Sequence, residues 1–261
     1  MNRSRAVSVF CALALVLACS VAGFAQSDED SFKGGYVGFF AGGAIGRSHT
    51  TTTTVFSPTG YFATSSVPAI AAAANQRPDP SGATAGGGLG YNWQHGKLVF
   101  GLETDFSWLG VDETKTATAV YPCCAPTSFT ISQRMKADWL LTMRPRFGFT
   151  FGKALVYGTA GVAFSNPSDK VKFTDTFATA AESQTVASNH AGWTAGGGVE
   201  FKVHHHWAAK GEYLYTDFGD DHKTSTNLTA FTPPISFPTN VFTHRADLQL
   251  HIYRVGLNYH F

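Results

Sequence analysis

Between Leu98 and Trp108 the chain reads LVFGLETDFSW, and its side chains sort onto two faces with a period of two. Leu98, Phe100, Leu102, Phe106 and Trp108 share one face; Gly101, Glu103, Asp105 and Ser107 share the other. Such alternation marks a strand whose two sides meet unlike surroundings. A soluble eight-stranded barrel would turn its apolar face inward and its polar face out to water. Here the face opposite the aromatics carries the charges, which is the arrangement of a transmembrane barrel. A bilayer offers no water to unpaired backbone groups, so strands cross it only as a closed barrel.

Seven further runs repeat the pattern. They lie near 35–47, 83–94, 134–151, 154–164, 191–203, 207–218 and 251–261. Outward faces are expected at Val37, Phe39, Ala41 and Ile45; at Leu89, Tyr91 and Trp93; and at Trp139, Leu141, Met143, Phe147 and Phe149. Trp193, Val199 and Phe201, and then Tyr213 and Tyr215, continue the series. The run 154–164 is apolar or small on both faces and is not oriented by its sequence. The connections alternate in length. Residues 94–97, 152–153 and 204–206 make tight turns, whereas 48–82, 110–133, 165–190 and 219–244 are long and rich in Thr, Ser, Pro and Asp. Short periplasmic turns and long exterior loops are the polarity of an outer-membrane barrel. The expected fold is therefore all-β: an eight-stranded antiparallel transmembrane β-barrel with four long extracellular loops. Trp93, Trp108, Trp193, Trp207 and Tyr259 near strand ends predict two interfacial girdles. Pro145 has no N–H to give a ladder and predicts a bulge or a missing bond in its strand.

The first residues read as a secretory signal peptide. Arg3 and Arg5 precede the apolar stretch Ala6–Ala22, and Gly23-Phe24-Ala25 offers a cut before Gln26. The expected organisation is a signal peptide at 1–25, a periplasmic segment at 26–34 and a barrel at 35–261. Lipidation at Cys19 is the competing processing route. Only 14% of residues are charged and no long basic block exists, so nothing points to nucleic acid.

Nine ionic residues fall on inward positions: Glu103, Asp105, Arg144, Arg146, Glu200, Lys202, Lys210, Glu212 and Arg254. Inside a narrow barrel such groups must largely pair, because a lone buried charge is costly. They read as a lumen charge network, with an ion path as the sharper alternative. Eight strands leave an interior just wide enough for side chains. Cys123 and Cys124 are adjacent in the second long loop, and an oxidising compartment allows them to bond to each other or to another chain. His204, His205 and His206 read as a solvated turn, with no metal assigned. His49, His190, His222 and His244 are the loop histidines on which heme binding would rest. No cofactor is assigned, and no nucleophile elbow, phosphate loop or Ser/His motif indicates an enzyme.

GYVGFFAGGAIG (35–46), GGGLGYNWQHGKLVFGLETDFSW (86–108), GWTAGGGVEFKVHHHWAAKGEYLYTDFG (192–219), Arg144-Pro145-Arg146 and the closing RVGLNYHF resemble the porin-like small outer-membrane β-barrel family of Gram-negative bacteria. The resemblance covers nearly all strands and almost none of the loops. It implies a surface antigen or envelope-integrity protein, with heme binding in some relatives. It also implies that Tyr253, Val255, Leu257, Tyr259 and Phe261 form the C-terminal signal read by the barrel assembly machinery. Physically, a last strand with one greasy face and a free edge is a pairing template. The expected partners are outer-membrane lipids, lipopolysaccharide and the assembly machinery, with heme or host and envelope proteins met through the loops. The leading expectation is a structural barrel that contributes to envelope integrity and surface interaction. A small-solute porin or heme-uptake protein is the alternative, and a lipid A-modifying enzyme ranks last.

Overall fold

The computed structural model describes residues 31–187 and 190–261. The predicted signal peptide, and residues 26–30 of the segment after it, lie outside the described residues. Among the described residues, eight strands close a ring: β1 (Gly34–Arg47), β3 (Ser81–His95), β4 (Leu98–Val120), β5 (Ser128–Phe151), β6 (Ala154–Ser165), β9 (His190–His204), β10 (Trp207–Ser225) and β13 (Phe242–His260). Each pairs antiparallel with its neighbour in chain order, and β13 returns to β1 through Tyr36↔His260 to Arg47↔Gln249. These are the eight runs of the sequence. Gly96 and Gly152 take φ of +58° and +57° in the tight turns, a region that L side chains rarely adopt.

Alternation places the side chains as expected. Phe100, Leu102, Phe147 and Phe201 project from the wall, while Glu103, Asp105, Arg144 and Arg146 are buried inside. The five tryptophans fall at two levels. Trp93 and Trp207 lie beside the turns, Trp207 against Tyr259. Trp108 pairs with Trp139, and Trp193 packs on Tyr215 toward the other end. From Leu98 to Trp108, at about 3.4 Å per residue and a tilt of about 40°, the band is roughly 25 Å tall. Pro145 costs one stretch of ladder. The β5–β6 pairing skips from Met143↔Val162 to Arg146↔Thr159 without a change of register, and the Thr159 hydroxyl donates to the Pro145 carbonyl at 2.8 Å.

The long connections differ from the loops that the sequence suggested. β4 and β5 run on together past the girdle to Val120 and Ser128. Above Ser165, where β6 ends, β7 (Ser168–Asp175) takes its place beside β5 and pairs with β8 (Ala181–Ala187). β2 (Thr50–Thr54) pairs with the upper end of β13. β11 (Thr229–Ala230) and β12 (Ile235–Ser236) finish the edge, and α1 (Ser66–Ala73) buries Ile70 at the tip. The wall thus continues well outside the membrane. The physical reason lies in runs such as Phe129, Ile131, Gln133 and Met135, which alternate and are all buried.

Candidate functional site

The lumen is filled in layers. At the periplasmic mouth Phe32 is fully buried; its N–H donates to Gln94 Oε1 at 2.8 Å, and Asn92 Nδ2 donates to its carbonyl at 2.8 Å. It packs with Val99, Leu155, Tyr157 and Ala208. Above this plug sit the ionic residues.

Glu103 on β4 is the hub. Its carboxylate accepts from Arg144 Nη2 at 2.6 Å, Lys210 Nζ at 2.7 Å, the Tyr36 hydroxyl at 2.6 Å and Arg146 Nη1 at 3.3 Å. Arg144 also reaches Asp105 at 2.6 Å and Glu212 at 3.4 Å. Arg254 from β13 spans Asp105 at 2.9 Å and Glu212 at 2.5 Å. Arg146 meets Glu200 at 2.6 Å and lies between the rings of Tyr36 and Tyr157. Glu200 also accepts from Asn258 at 2.8 Å, and Glu212 accepts from the Tyr157 hydroxyl at 2.8 Å. Lys202 sits lower, 5.3 Å from the Phe32 ring centroid. The structure brings all nine predicted ionic residues into the lumen, most of them into one network. Their pairing in a buried interior supplies each guanidinium with fixed acceptors. Tyr36 and Tyr157 also belong to this site, and sequence reasoning missed them. Tyr36 faced inward by the same alternation that placed Phe39 outside.

An apolar layer follows, including Leu109, Met135, Leu140, Leu214, Leu250 and Ile252. Beyond it lies a buried polar layer within the extracellular extension. His244 Nδ1 meets Thr52 Oγ1 at 2.9 Å, while its Nε2 faces both Ser225 Oγ and Glu182 Oε1 at 3.3 Å. The sequence carries no motif for a Ser/His pair, yet β10, β13 and β8 assemble one. It lacks a catalytic relay, in which hydroxyl and carboxylate must engage opposite ring nitrogens. Here both share Nε2, and Ser225 donates to Glu182 at 2.5 Å. All three side chains are buried.

Asp169 on β7, also above the girdle, is 2% exposed, and neither carboxylate oxygen has a hydrogen-bond partner. It borders a void of about 20 Å³ shared with Met135, Val186, Phe218 and Leu248, and with the acidic Asp221 and Asp247. Burial pushes its carboxyl up to about 7, with nearby His244 pulling the other way. The folded chain then holds this proton more tightly than the unfolded chain. Stability of the extension therefore falls as pH rises from about 4 to about 7 and is level above. Proteolysis of the membrane-embedded protein is expected to be faster at pH 8 than at pH 5.5, and Asp169→Asn flattens the difference. An unchanged pH profile in the variant counts against this carboxyl.

A last apolar cluster closes the top: Phe62, Ile70, Tyr121, Phe129, Ile131, Phe173, Leu228 and Phe242 among others. Cys123 and Cys124 are bonded to each other at its edge, with Cys124 packed against it. Of the loop histidines, His49 meets Asn75 at 2.8 Å, His222 is exposed on β10 and His244 is buried; the surroundings of His190 lie outside the described residues. In the turn, His206 stacks on Tyr259. The C-terminal strand has Tyr253 and Val255 on the lipid face, and the Phe261 N–H donates to the Gly35 carbonyl at 3.0 Å.

The model of the outer membrane protein beta-barrel domain matches residues 11–261. The 31 kDa outer-membrane immunogenic protein of Brucella melitensis is 30% identical over 241 residues, 91% of this chain and 87% of that protein. The 22 kDa outer membrane protein of Rhizobium leguminosarum bv. viciae is 33% identical over 49% of each chain. Among solved structures, outer membrane protein OprG from Pseudomonas aeruginosa is 12% identical, with a TM-score of 0.41 over 90% of this chain and 99% of that one. The outer membrane protease OmpT from Escherichia coli has a TM-score of 0.49 at 9% identity, over 87% and 96%. The chain therefore belongs to the outer membrane protein beta-barrel family, and its place is the outer membrane of a Gram-negative cell.

Proposed function

We propose that this protein is a non-conducting structural barrel that contributes to envelope integrity and offers its extracellular cap for surface interactions. The filled lumen carries this reading. Phe32, the ionic layer, two apolar clusters and the polar layer between them occupy the barrel from one mouth to the other. A solute path would have to break the Glu103 and Arg144 pairings, which hold side chains with almost no exposure. The buried Ser225 and His244 have no surface from which to act on a substrate, which supports a protein without catalysis.

The wall just above the upper girdle supports contact with lipopolysaccharide. Lys170 and Lys172 are exposed on one face of β7, beside Arg134, whose guanidinium is paired with Asp112. Phosphates of the outer leaflet suit such a group. The last strand, with its greasy face and its seam at β1, is what the assembly machinery would read. The deciding experiment is single-channel recording on refolded protein in planar bilayers. No steady conductance above the bare lipid is expected. Reproducible unitary steps would replace this reading with the porin one.

A further inference from the structure

The exposed large apolar side chains fall into two separate zones. One is the membrane-facing wall. The other is the extracellular tip, where Val55, Phe56, Val120, Phe177, Phe231 and Ile235 are 44–55% exposed. Along β4, from Trp108 to Val120, the tip stands roughly 30 Å beyond the upper girdle at about 3.4 Å per residue and a tilt of about 40°. These side chains therefore cannot sit in the protein's own bilayer.

The tip is also poor in charge. Residues 50–76, 116–133, 176–181 and 224–243 contain no Asp, Glu, Lys, Arg or His. Asp175, at the edge of this zone, has its carboxylate engaged by four donors: the hydroxyls of Tyr61 and Tyr121 at 2.5 and 3.0 Å, and the N–H groups of Ala178 and Ala180 at 3.3 and 2.8 Å. The segments are bounded by Arg77, Lys115, Arg134, Asp175, Glu182, Lys223 and His244, of which Glu182 and His244 are buried in the polar layer below.

The rings are held in place. Tyr61 stands at the centre of an aromatic group, 6.1 Å from Phe177, 6.3 Å from Phe231 and 5.4 Å from Phe237 between ring centroids. Phe231 keeps φ at +73°, strained for a bulky residue, with its N–H donating to Ala178 at 2.7 Å. A Phe fixed in that conformation and still 44% exposed is not there to fill the protein's own core.

We propose that the tip docks on the uncharged interface of a second, apposed lipid bilayer, seating Phe56, Phe177, Phe231 and Ile235 at headgroup depth. Exposed aromatics and aliphatics favour that depth. A zwitterionic surface demands no ion pair, and Asp175, the carboxylate beside the rings, already accepts four hydrogen bonds from the chain. The side chains project from three different connections, as separate points that can sink between headgroups. This inference rests on the surface-interaction reading and gives the cap a partner.

The test uses the full barrel in lipid nanodiscs, mixed with phosphatidylcholine vesicles and floated on a density gradient. Loaded discs are expected to rise with the vesicles and empty discs to stay below. Combined Phe56→Ser, Phe177→Ser, Phe231→Ser and Ile235→Ser substitution lowers the bound fraction roughly tenfold or more. Heat-modifiable gel mobility reports folding. If the combined variant fails to fold, Phe177→Ser and Phe231→Ser singly must each lower binding, and Phe231→Leu must preserve it. Flotation no greater than that of empty discs overturns the proposal. So does binding that needs anionic lipid and disappears in salt, which would assign it to the charged wall. Loaded discs that pair with one another in the absence of vesicles would make a second copy the occupant. None of these results alters the conductance experiment, so failure here leaves the structural-barrel reading standing.

Discussion

Glu103→Ala lowers the stability of the folded barrel by about 3–5 kcal/mol, the usual cost of leaving a buried charge without its partner. Arg144, Arg146 and Lys210 all converge on this carboxylate, and the Tyr36 hydroxyl donates to it. Removing it leaves buried cations without their shared acceptor. The urea midpoint of the lipid-embedded protein, followed by tryptophan fluorescence, is the measurement. Replacing two partners at once, Glu103→Leu with Arg144→Met, is expected to recover part of the loss, because the penalty is one of imbalance and not of lost attraction. A midpoint for Glu103→Ala within error of the parent would mean that water reaches this layer, and the filled lumen would have to be abandoned.

The second large effect separates the membrane wall from the extension. Leu102→Arg puts a charge near mid-bilayer on the lipid face of β4 and costs about 2–4 kcal/mol. Thr116→Arg, on the same strand and the same face but beyond the girdle, changes stability by about 0.5 kcal/mol or less. Both side chains are exposed in the structure, so accessibility alone predicts equal effects. Only the solvent differs. Equal urea midpoints for the two variants would sink the assignment of Trp108 and Trp139 to the membrane boundary.

The barrel itself was legible because its two surroundings impose opposite demands on neighbouring residues. Phe100 and Glu103, or Phe147 and Arg146, can be told apart by type alone. The ionic residues were legible for the same reason, but their partners were not. Arg254 and Asp105 are far apart in sequence and meet only because the ring closes. The extension was misread as loop. Its Thr-rich outer face, as in Thr114, Thr116 and Thr118, resembles a linker in composition, and water on one side weakens the contrast with Phe129 and Ile131. Ser225, His244 and Glu182 come from three strands at irregular separations, and no local spacing announces their meeting.

The ionic layer has a consequence for how this chain enters its membrane. Arg254 is delivered by the last strand, and Lys210 and Glu212 by the strand beside it on the ring, whereas Glu103 and Asp105 arrive early. Arg144 meets Glu103 and Asp105 across the β4–β5 ladder, but the pairs that cross the lumen, Arg254 with Asp105 and Lys210 with Glu103, wait for the ring to close. Those last pairs form when β13 joins β1. The cross-lumen ion pairs are thus a latch that only the finished ring can engage.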